Sequence, residues 1–229
     1  MNDGIRLAKY IANAGLCSRR QASRLIDQGL VTVNGGIADH ICFVGTDDVI
    51  TVNDELLVYQ TDQVYYLFNK PVGIDSRLLP NDSASLIHLL PSEIRIYPIG
   101  RLDKDSYGLM ILTNDGELYH QMNHPDHHQE KEYRVSVERP IDANFCNKMA
   151  QGIPVDGQLT QPCSVWQTAE NEFHIVLTQG LNRQIRKMAK HCGYKVVDLE
   201  RIRIANLAIG DLSAGEFKTL TKADILLQR

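Results

Sequence analysis

The sequence predicts an α+β protein with a small N-terminal domain and a larger C-terminal domain. Its 229 residues fit one large domain, or a medium-sized domain with a small appendage. Segments with helical and with strand periodicity are mixed along the chain, and we find no internal repeat. A polar stretch without periodicity covers residues 53–63. We therefore expect residues 1–62 to form the first domain and its linker, and residues 63–229 to form the second.

The first domain is predicted to contain two short helices and a hairpin. Apolar residues recur at helical spacing over residues 7–14. Ser18 and Gln21 match a capping box, which predicts a second helix that begins there and ends before Gly29. Asn34-Gly35 follows a short valine-rich strand and is a strong signal for a hairpin turn.

The second domain is predicted to contain at least four strands and three helices. Its strands are apolar runs or alternate between apolar and polar residues, whereas its helices show a longer apolar period. The expected strands cover residues 64–68, 109–112, 133–137 and 173–177, and the expected helices cover residues 83–90, 142–150 and 182–191.

The composition argues against several classes of protein. No run approaches the roughly 18 apolar residues that span a bilayer, so we expect no membrane association. The first residues lack the apolar run of a signal peptide, and the five cysteines are scattered, so we expect a cytoplasmic protein with free thiols. No nucleotide-binding glycine motif occurs, so a nucleotide cofactor has no support in the sequence.

A histidine-rich stretch is the one feature that suggests a metal. It contains His124, Asp126, His127 and His128. A zinc site needs a second group of ligands at a matching spacing, and the sequence offers none. We therefore interpret the stretch as an exposed polar loop and expect no metal.

Charge is strongly segregated along the chain. The 24 Lys and Arg against 28 Asp and Glu give a net charge of −4, which by itself argues against a nucleic-acid partner. Residues 1–30 nevertheless carry +3 and residues 183–203 carry +5, whereas residues 31–62 carry −6. Two basic segments are thus embedded in an acidic chain, and their distribution is more informative than the total.

The first basic segment is a candidate phosphate-binding surface. Arg20 and Arg24 lie one helical turn apart on the same face of the predicted second helix. The alternative interpretation is an ordinary solvated helix face. The basic residues of the segment are Arg6, Lys9, Arg19, Arg20 and Arg24.

The second basic segment gives a clearer signal. Arg183, Arg186, Lys187 and Lys190 are spaced to form one ridge along the predicted helix, and Ile185 lies on its opposite, apolar side. A solvated helix usually interleaves acids with bases, but no acidic residue occurs from residue 182 to residue 194. We therefore predict a face that binds a polyanion.

A glycine-bounded acidic loop precedes the apolar strand 109–112. It carries Asp103 and Asp105 within residues 100–108. A carboxylate at such a position could act as a base or a nucleophile. Loops of this composition are more often plain turns, and a glycosidase-type pair of carboxylates has no further support in the sequence.

Four motifs follow one another along the chain: residues 69–73, 100–109, 131–135 and 180–188. Together they resemble the Rsu/Rlu family of ribosomal RNA pseudouridine synthases. Their order and spacing match across nearly the whole chain, and the second and fourth are highly specific. Two stretches, 103–106 and 179–184, resemble the RluF branch of that family, which acts on large-subunit rRNA. Residues 6–35 resemble the RNA-binding domain of the ribosomal-protein-S-four type, also called the alpha-L motif.

The resemblance implies a role for each matching residue. Asp103 matches the catalytic aspartate, and Arg186 matches the basic residue that ion-pairs with it and keeps its pKa low. Tyr133 matches the tyrosine that packs against the target uracil. Arg101 matches the arginine that fills the gap left by the flipped base, and Ile185 is expected to line the uracil pocket.

Further basic residues are implied to bind the substrate. Lys70, with its neighbour Pro71, is expected on the substrate-binding surface, where it supports the active-site loop. The ridge residues Arg183, Lys187 and Lys190 are expected to contact RNA. In the N-terminal domain the same is expected of Arg6, Lys9, Arg19, Arg20 and Arg24.

The resemblance also implies a fold and a reaction. The fold is an alpha-L module followed by a mixed, mainly antiparallel sheet flanked by helices. The reaction isomerises a uridine of ribosomal RNA, expected in the large subunit, to pseudouridine after the base is flipped out. It needs no cofactor, and we expect a monomer.

Two other functions would use the same residues. A non-catalytic RNA-binding or ribosome-assembly factor would keep the fold and bind RNA without isomerising a base. A carboxylate-based hydrolase acting on a sugar would use Asp103 and Asp105 but would leave the two basic segments unexplained. The combination of Asp103, Tyr133 and Arg186 favours the synthase.

Overall fold

The computed structural model describes residues 4–59, 62–91, 94–123 and 129–226. The chain divides into two compact units. The first comprises the described residues within 1–63, 91–96 and 114–116, and the second comprises those within 64–90, 97–113 and 117–229. The histidine-rich stretch 124–128 lies outside the described residues.

The first unit contains two helices and two small antiparallel sheets. Strand β1 pairs with β4, and the other sheet has the order β3-β2-β5-β6. Its elements are β1 (Ile5–Arg6), α1 (Leu7–Asn13), α2 (Arg19–Asp27), β2 (Val31–Val33), β3 (Gly36–Ile37), β4 (Phe43–Val44), β5 (Ile50–Val52) and β6 (Glu55–Leu56).

Local signals position these elements as the sequence predicts. The Ser18 hydroxyl accepts a hydrogen bond of 3.2 Å from the Gln21 amide and so caps α2. Asn34 and Gly35 have φ of 51° and 82°, as the predicted hairpin turn requires. The predicted linker, by contrast, begins later than expected, because 53–54 form a second tight turn that returns the chain as β6.

One apolar cluster holds the first unit together. The helices contribute Leu7 and Ile11 from α1 and Ile26 from α2, and the sheet contributes Val31 and Ile50. Each of these side chains is at most 4% exposed. Because the apolar face of α2 is buried in this cluster, the basic face of α2 is directed to solvent.

The second unit is a large sheet with helices on it. Its elements are β7 (Tyr65–Lys70), a 3-10 turn (Leu86–Leu89), β8 (Tyr97–Ile99), β9 (Tyr107–Thr113), α3 (Gly116–Asn123), β10 (Lys131–Val137), α4 (Phe145–Ala150), β11 (Pro154–Val155), β12 (Gln158–Leu159), β13 (Ser164–Ala169), β14 (Glu172–Leu177), α5 (Gln184–His191), β15 (Val196–Ile204), β16 (Leu207–Ala208), β17 (Phe217–Leu220) and α6 (Lys222–Leu226).

The sheet is mixed and mainly antiparallel, which confirms the predicted fold class. Seven strands follow the order β13-β14-β10-β15-β9-β7-β17, while β16 pairs with β15 and β8 pairs with β9. The pairing between β15 and β9 is parallel, and the other strand pairs of this sheet are antiparallel. Strands β11 and β12 form a separate hairpin.

Helices flank the sheet through two apolar clusters. Helices α4 and α5 pack on one cluster, to which they contribute Phe145 and Met188. Helices α3 and α6 pack on the other, to which they contribute Leu118 and Ile225. Among the helices of the described residues, none has the length and apolar character that crossing a membrane would require.

Helix α5 begins two residues later than its sequence pattern suggests. Arg183 has φ 52° and ψ 35°, the left-handed region, and occupies the N-cap position. Arg183 therefore precedes the helical ridge instead of belonging to it. The apolar face agrees with the prediction, because Ile185, Met188 and Ala189 are buried in the cluster beneath.

Candidate active site

The central sheet brings three of the four motifs side by side. Lys70 of β7 pairs with Gly108 of β9, Gly108 pairs with Arg201 of β15, and Arg201 pairs with Tyr133 of β10. Residues that pair directly across a sheet lie on the same face. The loop 100–106, which carries the predicted catalytic aspartate, leads directly into this row through β9.

Gly108 allows the two parallel strands to approach each other at this row. Its φ is +104°, and a Cβ there would lie 2.3 Å from the carbonyl oxygen of Arg201. A side chain of any size would push β9 away from β15. Glycine is therefore required at this position for a steric as well as a conformational reason.

Hydrogen bonds fix the backbone on either side of Asp103. The buried Ser76 hydroxyl donates to the Leu102 carbonyl at 2.7 Å and accepts from the Leu102 amide at 3.0 Å. The Gly73 amide donates to the Lys104 carbonyl at 2.7 Å. Asp103 thus lies between two anchored residues, which limits where its carboxylate can be.

Lys70 supports this arrangement from inside the protein. Its side chain is fully buried, and its ammonium donates to the carbonyls of Pro71 and Ile74 at 2.8 and 2.7 Å. Burial, together with the nearby Arg201 cation, lowers the pKa of Lys70 to about 8. The ammonium therefore faces the interior and holds the 71–74 turn, and contact between Lys70 and the substrate stays a prediction.

The Asp103 carboxylate is accessible to solvent and makes few contacts with other side chains. Its side chain is 31% exposed. Within the described part of the chain, no side chain donates a hydrogen bond to it, and its ion-pair contact is Arg183 Nη1 at 3.9 Å from Oδ2. Its oxygens are therefore available to an incoming substrate.

Arg183 is held mainly by the neighbouring carboxylate of Asp105. The guanidinium donates from Nη1 to Oδ1 at 2.9 Å and from Nη2 to Oδ2 at 2.7 Å. This two-pronged geometry is the strongest common form of an Arg–carboxylate pair. The hydrogen bonds from Arg183 hold the pKa of Asp105 below its usual range.

Arg186 departs from its predicted pairing. Its guanidinium donates to the backbone carbonyls of Asp105 at 2.8 Å and Val196 at 3.3 Å, and to the Ser106 hydroxyl at 3.3 Å. Its Nε lies 3.5 Å from the Asp105 carboxylate. In the described residues Arg186 thus contacts Asp105 and not Asp103, and the predicted ion pair between Arg186 and Asp103 stays a prediction.

The basic ridge of α5 lines an open cleft of about 820 Å³. Lys187 lies at its edge and contacts Asp156 of the β11–β12 turn at 2.5 Å, whereas Lys190 is exposed. The charged residues that line the cleft are Arg183, Arg186, Lys187, Lys190 and Lys195, with Asp105 and Glu138 as the acids. Cations predominate, so the cleft suits a phosphate-bearing ligand.

The remaining predicted residues of this unit differ in exposure. Tyr133 is partly buried and packs against the apolar cluster that contains Ile175. Ile185 belongs to the same cluster and is 4% exposed, so it is chiefly a core residue. Arg101 is exposed on the loop that carries Asp103.

The predicted RNA-binding residues of the first unit lie at its surface. Arg19, Arg20 and Arg24 of α2 are exposed. The Arg6 guanidinium lies 5.5 Å from the centre of the Phe43 ring. Lys9 of α1 is partly buried.

Three residues of the site escape the sequence interpretation. The Ser76 hydroxyl forms a hydrogen bond with the backbone of Leu102, which lies 26 residues away in sequence. Arg201 is buried in the row beside Tyr133, where its Nε donates to the Leu109 carbonyl at 2.7 Å. The sequence suggests Asp105 only as the second carboxylate of a hydrolase, beside Asp103. The basic residues after residue 180 are the sequence signal that predicts cationic neighbours for Asp105.

Comparison with known proteins identifies the family. Residues 64–191 match the family model described as RNA pseudouridylate synthase, and residues 5–41 match that of the S4 domain. The chain is 41% identical over 227 residues to the dual-specificity RNA pseudouridine synthase RluF of Escherichia coli (strain K12), covering 98% of this chain and 78% of that protein. It is 34% identical over 229 residues to the ribosomal large subunit pseudouridine synthase B of Bacillus subtilis (strain 168), covering 96% and 93%.

A solved structure agrees with these relatives. A crystal structure of a pseudouridylate synthase superposes with a TM-score of 0.71 at 30% identity, covering 96% of this chain and 98% of that one. The loop that presents Asp103, the sheet row that contains Tyr133 and the basic helix α5 all lie in the larger unit. The chain is a member of the RNA pseudouridylate synthase family and carries an S4 domain at its N-terminal end.

Proposed function

We propose that the protein isomerises one or a few specific uridines of ribosomal RNA to pseudouridine, and that the RNA is that of the large subunit. The observation that carries the proposal is the Asp103 carboxylate, which is accessible, anchored on both sides through its backbone neighbours and free of a close ion pair. In a member of this family, such a group is suited to act on the substrate itself.

The reaction rearranges one bond of the nucleoside. The bond between ribose C1′ and ring N1 breaks, the uracil turns, and C1′ bonds to ring C5. The hydrogen of C5 leaves as a proton and N1 ends with one, so nothing is oxidised, reduced or hydrolysed. Asp103 acts at the sugar, either by attack on C1′ or by removal of the 2′ proton.

The uridine must leave its stack before it can reach Asp103. Flipping costs a few kcal/mol, which contacts in the site must offset. We assign this stacking contact to Tyr133, which borders the apolar cluster that Ile185 helps to form. Exposed Arg101, on the same loop as Asp103, is placed to enter the space that the base vacates.

The basic surfaces bind the RNA backbone. In the second unit, the cleft beside α5 offers Arg183, Lys187 and Lys190 to phosphates. In the first unit, α2 offers its exposed arginines, with Arg6 and Lys9 nearby in sequence. Residues 1–62 and 63–229 would thus act as a binding domain with its linker and a catalytic domain.

Three finer features complete the proposal. The large-subunit substrate is supported by the name of the Bacillus subtilis relative. The monomeric state is part of the same proposal, and the molar mass of the protein in solution tests it. A cytoplasmic location follows from a ribosomal RNA substrate.

The test is the release of tritium from RNA labelled at C5 of uridine. Replacing Asp103 with Asn should reduce release by at least about a thousandfold, because it removes the reacting carboxylate. RNA binding, measured by filter retention, should be nearly unchanged. The matched control is Asp211→Asn, which removes one exposed carboxylate elsewhere in the second unit and should release tritium at the wild-type rate.

Each competing outcome has a clear signature. A wild-type protein that binds RNA but releases no tritium would instead be a binding or assembly factor. Release that persists in Asp103→Asn would exclude Asp103 as the reacting group. Mapping of pseudouridine in rRNA from a deletion strain would show whether the lost position lies in the large or the small subunit.

A further inference from the structure

We propose that Arg77 is a further substrate-binding residue: its guanidinium, held in place by Asp75, binds a backbone phosphate of the RNA next to the uridine that enters the site. The proposal rests on the proposed function and adds a cation to it on the N-terminal side of the loop that carries Asp103. The basic residues Arg183 and Arg186 meet the same loop on its C-terminal side.

The chain segment that carries Arg77 runs beside the loop that carries Asp103. The Ser76 hydroxyl donates to the Leu102 carbonyl at 2.7 Å and accepts from the Leu102 amide at 3.0 Å. Arg77 and Asp103 are each one residue away from this contact, and consecutive Cα atoms are only about 3.8 Å apart. The two side chains are therefore close enough to contact one nucleotide and its neighbouring phosphate.

The carboxylate of Asp75 lies near the same buried cation as the carboxylates of the catalytic loop. Burial, with the nearby Arg201 cation, lowers the pKa of Lys70 to about 8. Three carboxylates near the Lys70 ammonium oppose this effect, because an opposite charge favours the charged form; they belong to Asp105, Asp75 and Asp103. The group that holds Arg77 is therefore part of the electrostatic surroundings of the active site.

Hydrogen bonds fix both the guanidinium and the backbone of Arg77. Its Nε lies 3.1 and 3.0 Å from the two carboxylate oxygens of Asp75, and its Nη2 donates to Oδ2 at 2.6 Å. The Arg77 amide donates to Asp75 Oδ1 at 2.8 Å, and the Arg77 carbonyl accepts from the buried Ser85 hydroxyl at 2.6 Å. The hydrogen bonds from Arg77 lower the pKa of Asp75 to about 2, so the pair is charged at neutral pH.

The two members of the pair differ in exposure, and the exposed member is the cation. The Asp75 side chain is 17% exposed, whereas that of Arg77 is 57% exposed. Asp75 engages the edge formed by Nε and Nη2, so Nη1 is directed away from it and can donate to a second anion. The other charged groups near the pair are Asp82 and Lys104. A surface ion pair adds little to stability, but a guanidinium held in one orientation is a preorganised donor for a phosphate.

The backbone of RNA supplies a phosphate at this place. A uridine that reaches Asp103 brings along the phosphates on its two sides. On one side they meet the cleft beside α5, and on the other they meet the segment that carries Arg77. Phosphate contacts fix the register of a nucleic acid without reading its sequence. Arg77 would thus set where the uridine lies relative to Asp103, and Asp75 would be the positioning residue for Arg77.

The experiment compares Arg77→Gln and Asp75→Asn in the full-length protein, with transcribed large-subunit ribosomal RNA as the substrate. In Arg77→Gln, RNA should bind about five- to tenfold more weakly, and the slope of log Kd against log salt should fall by about 1, because one phosphate contact is lost. In Asp75→Asn, the cation remains but is no longer held in one orientation. RNA should bind at least as tightly as to the wild type, while the maximal single-turnover rate should fall about fivefold.

A double variant tests whether Asp75 acts through Arg77. The maximal rate should fall about fivefold in each single variant and no further in Arg77→Gln/Asp75→Asn, because without the guanidinium the carboxylate has nothing to position. Arg77→Lys keeps the charge but not the fork, so it should keep the salt slope of the wild type and recover only part of the rate.

Controls separate this inference from loss of fold. Lys218→Gln removes an exposed cation from β17 and should keep the slope and the rate of the wild type. If Asp75→Asn does not fold, as judged by its thermal melting curve, the salt slope of Arg77→Gln carries the test, since a merely structural ion pair would not change it. A slope for Arg77→Gln equal to that of Lys218→Gln, or rate losses that multiply in the double variant, would overturn the inference.

The same assays distinguish the two levels of the proposal. A wild-type protein that forms no pseudouridine would overturn the proposed function and this inference together. An active wild type whose salt slope is unchanged in Arg77→Gln would overturn the inference alone.

Discussion

In α2 the arginines Arg20 and Arg24 project into solvent, whereas in α5 Arg186 and Lys187 are drawn against other parts of the unit. The two helices share one design, with cations on one face and buried apolar residues on the other. Their surroundings differ: the α2 arginines are exposed, but the Arg186 side chain is 14% exposed and Lys187 contacts Asp156.

The difference teaches that one charge pattern can serve two purposes. Exposed arginines keep their rotamer freedom and can adapt to the phosphates of a folded RNA. Little specificity is lost by this, because phosphate contacts carry no sequence information. Arginines fixed by carbonyls and carboxylates are preorganised, and they act by holding a reactive group in place. We therefore expect substitutions in α2 to change affinity and substitutions in α5 to change turnover.

The largest expected effect is that of Arg186→Met. It removes the guanidinium that donates to Asp105, Ser106 and Val196, so the loop that carries Asp103 loses an anchor. A displacement of about 1 Å at a reacting group can lower a rate about a hundredfold, and we expect a loss of that size in kcat. Single-turnover pseudouridine formation at saturating RNA measures it.

The matched control for Arg186→Met lies in the other helix. Arg24→Met removes an exposed guanidinium from α2 and should leave kcat within error of the wild type. Equal losses of kcat in the two variants would break the distinction between the helices.

An intermediate effect is expected of the double variant Arg20→Gln/Arg24→Gln. It removes two exposed cations from α2, which should weaken RNA binding about tenfold and reduce the slope of log Kd against log salt by about 1 for each phosphate that α2 no longer neutralises. Titrations of labelled RNA at several salt concentrations measure both quantities. Lys218→Gln, which removes an exposed cation from strand β17, is the control. If the slope of the double variant stays at the wild-type value, α2 is not part of the RNA-binding surface.

The smallest expected effect concerns the cation buried in the second unit. Burial lowers the pKa of Lys70 from 10.5 to about 8. Between these values the unfolded chain holds more protons than the folded one, so the contribution of Lys70 to stability rises with pH. Relative to Lys70→Met, the free energy of unfolding of the wild type should increase by on the order of 1 kcal/mol from pH 8 to pH 10.5.

Urea denaturation at several pH values measures this difference. Lys131, whose pKa burial also lowers to about 8, is present in both proteins and cancels in the comparison. Lys218→Met should give a curve parallel to that of the wild type, because its side chain is exposed. Parallel curves for Lys70→Met as well would mean that Lys70 does not titrate differently in the folded state.

The elements that the sequence predicted well are those specified by neighbouring residues. Ser18 caps α2 through an amide three residues away. Asn34-Gly35 forms the expected turn, and the apolar face of α5 packs as its periodicity indicates. Each of these signals acts over one or two turns of chain, so no distant contact is needed to establish it.

Strand β15 shows why other elements were not predicted. It is nine residues long and lies near the middle of the sheet, yet it contains charged residues that mask the strand pattern. Glu200 and Arg201 are both buried, and their partners come from other strands: Arg134 of β10 and the Leu109 carbonyl of β9. Such burial becomes favourable only once those strands are adjacent.

The sequence by itself determined which residues of this protein are available for chemistry. It specified the glycine-bounded loop with Asp103, the aromatic strand with Tyr133, and two basic helices with opposite apolar faces. These features depend on residue type and short-range periodicity, which are properties of the chain before it folds.

The tertiary structure alone decided which acid meets which base. No acidic residue lies near Arg183, Arg186 or Lys187 in sequence, and the ridge therefore looked unpaired. Folding brings Asp105 to Arg183 from 78 residues away and Asp156 to Lys187 from 31 residues away. Ion pairing depends on distance in space, so the availability of Asp103 for reaction follows from sheet topology and not from the local sequence.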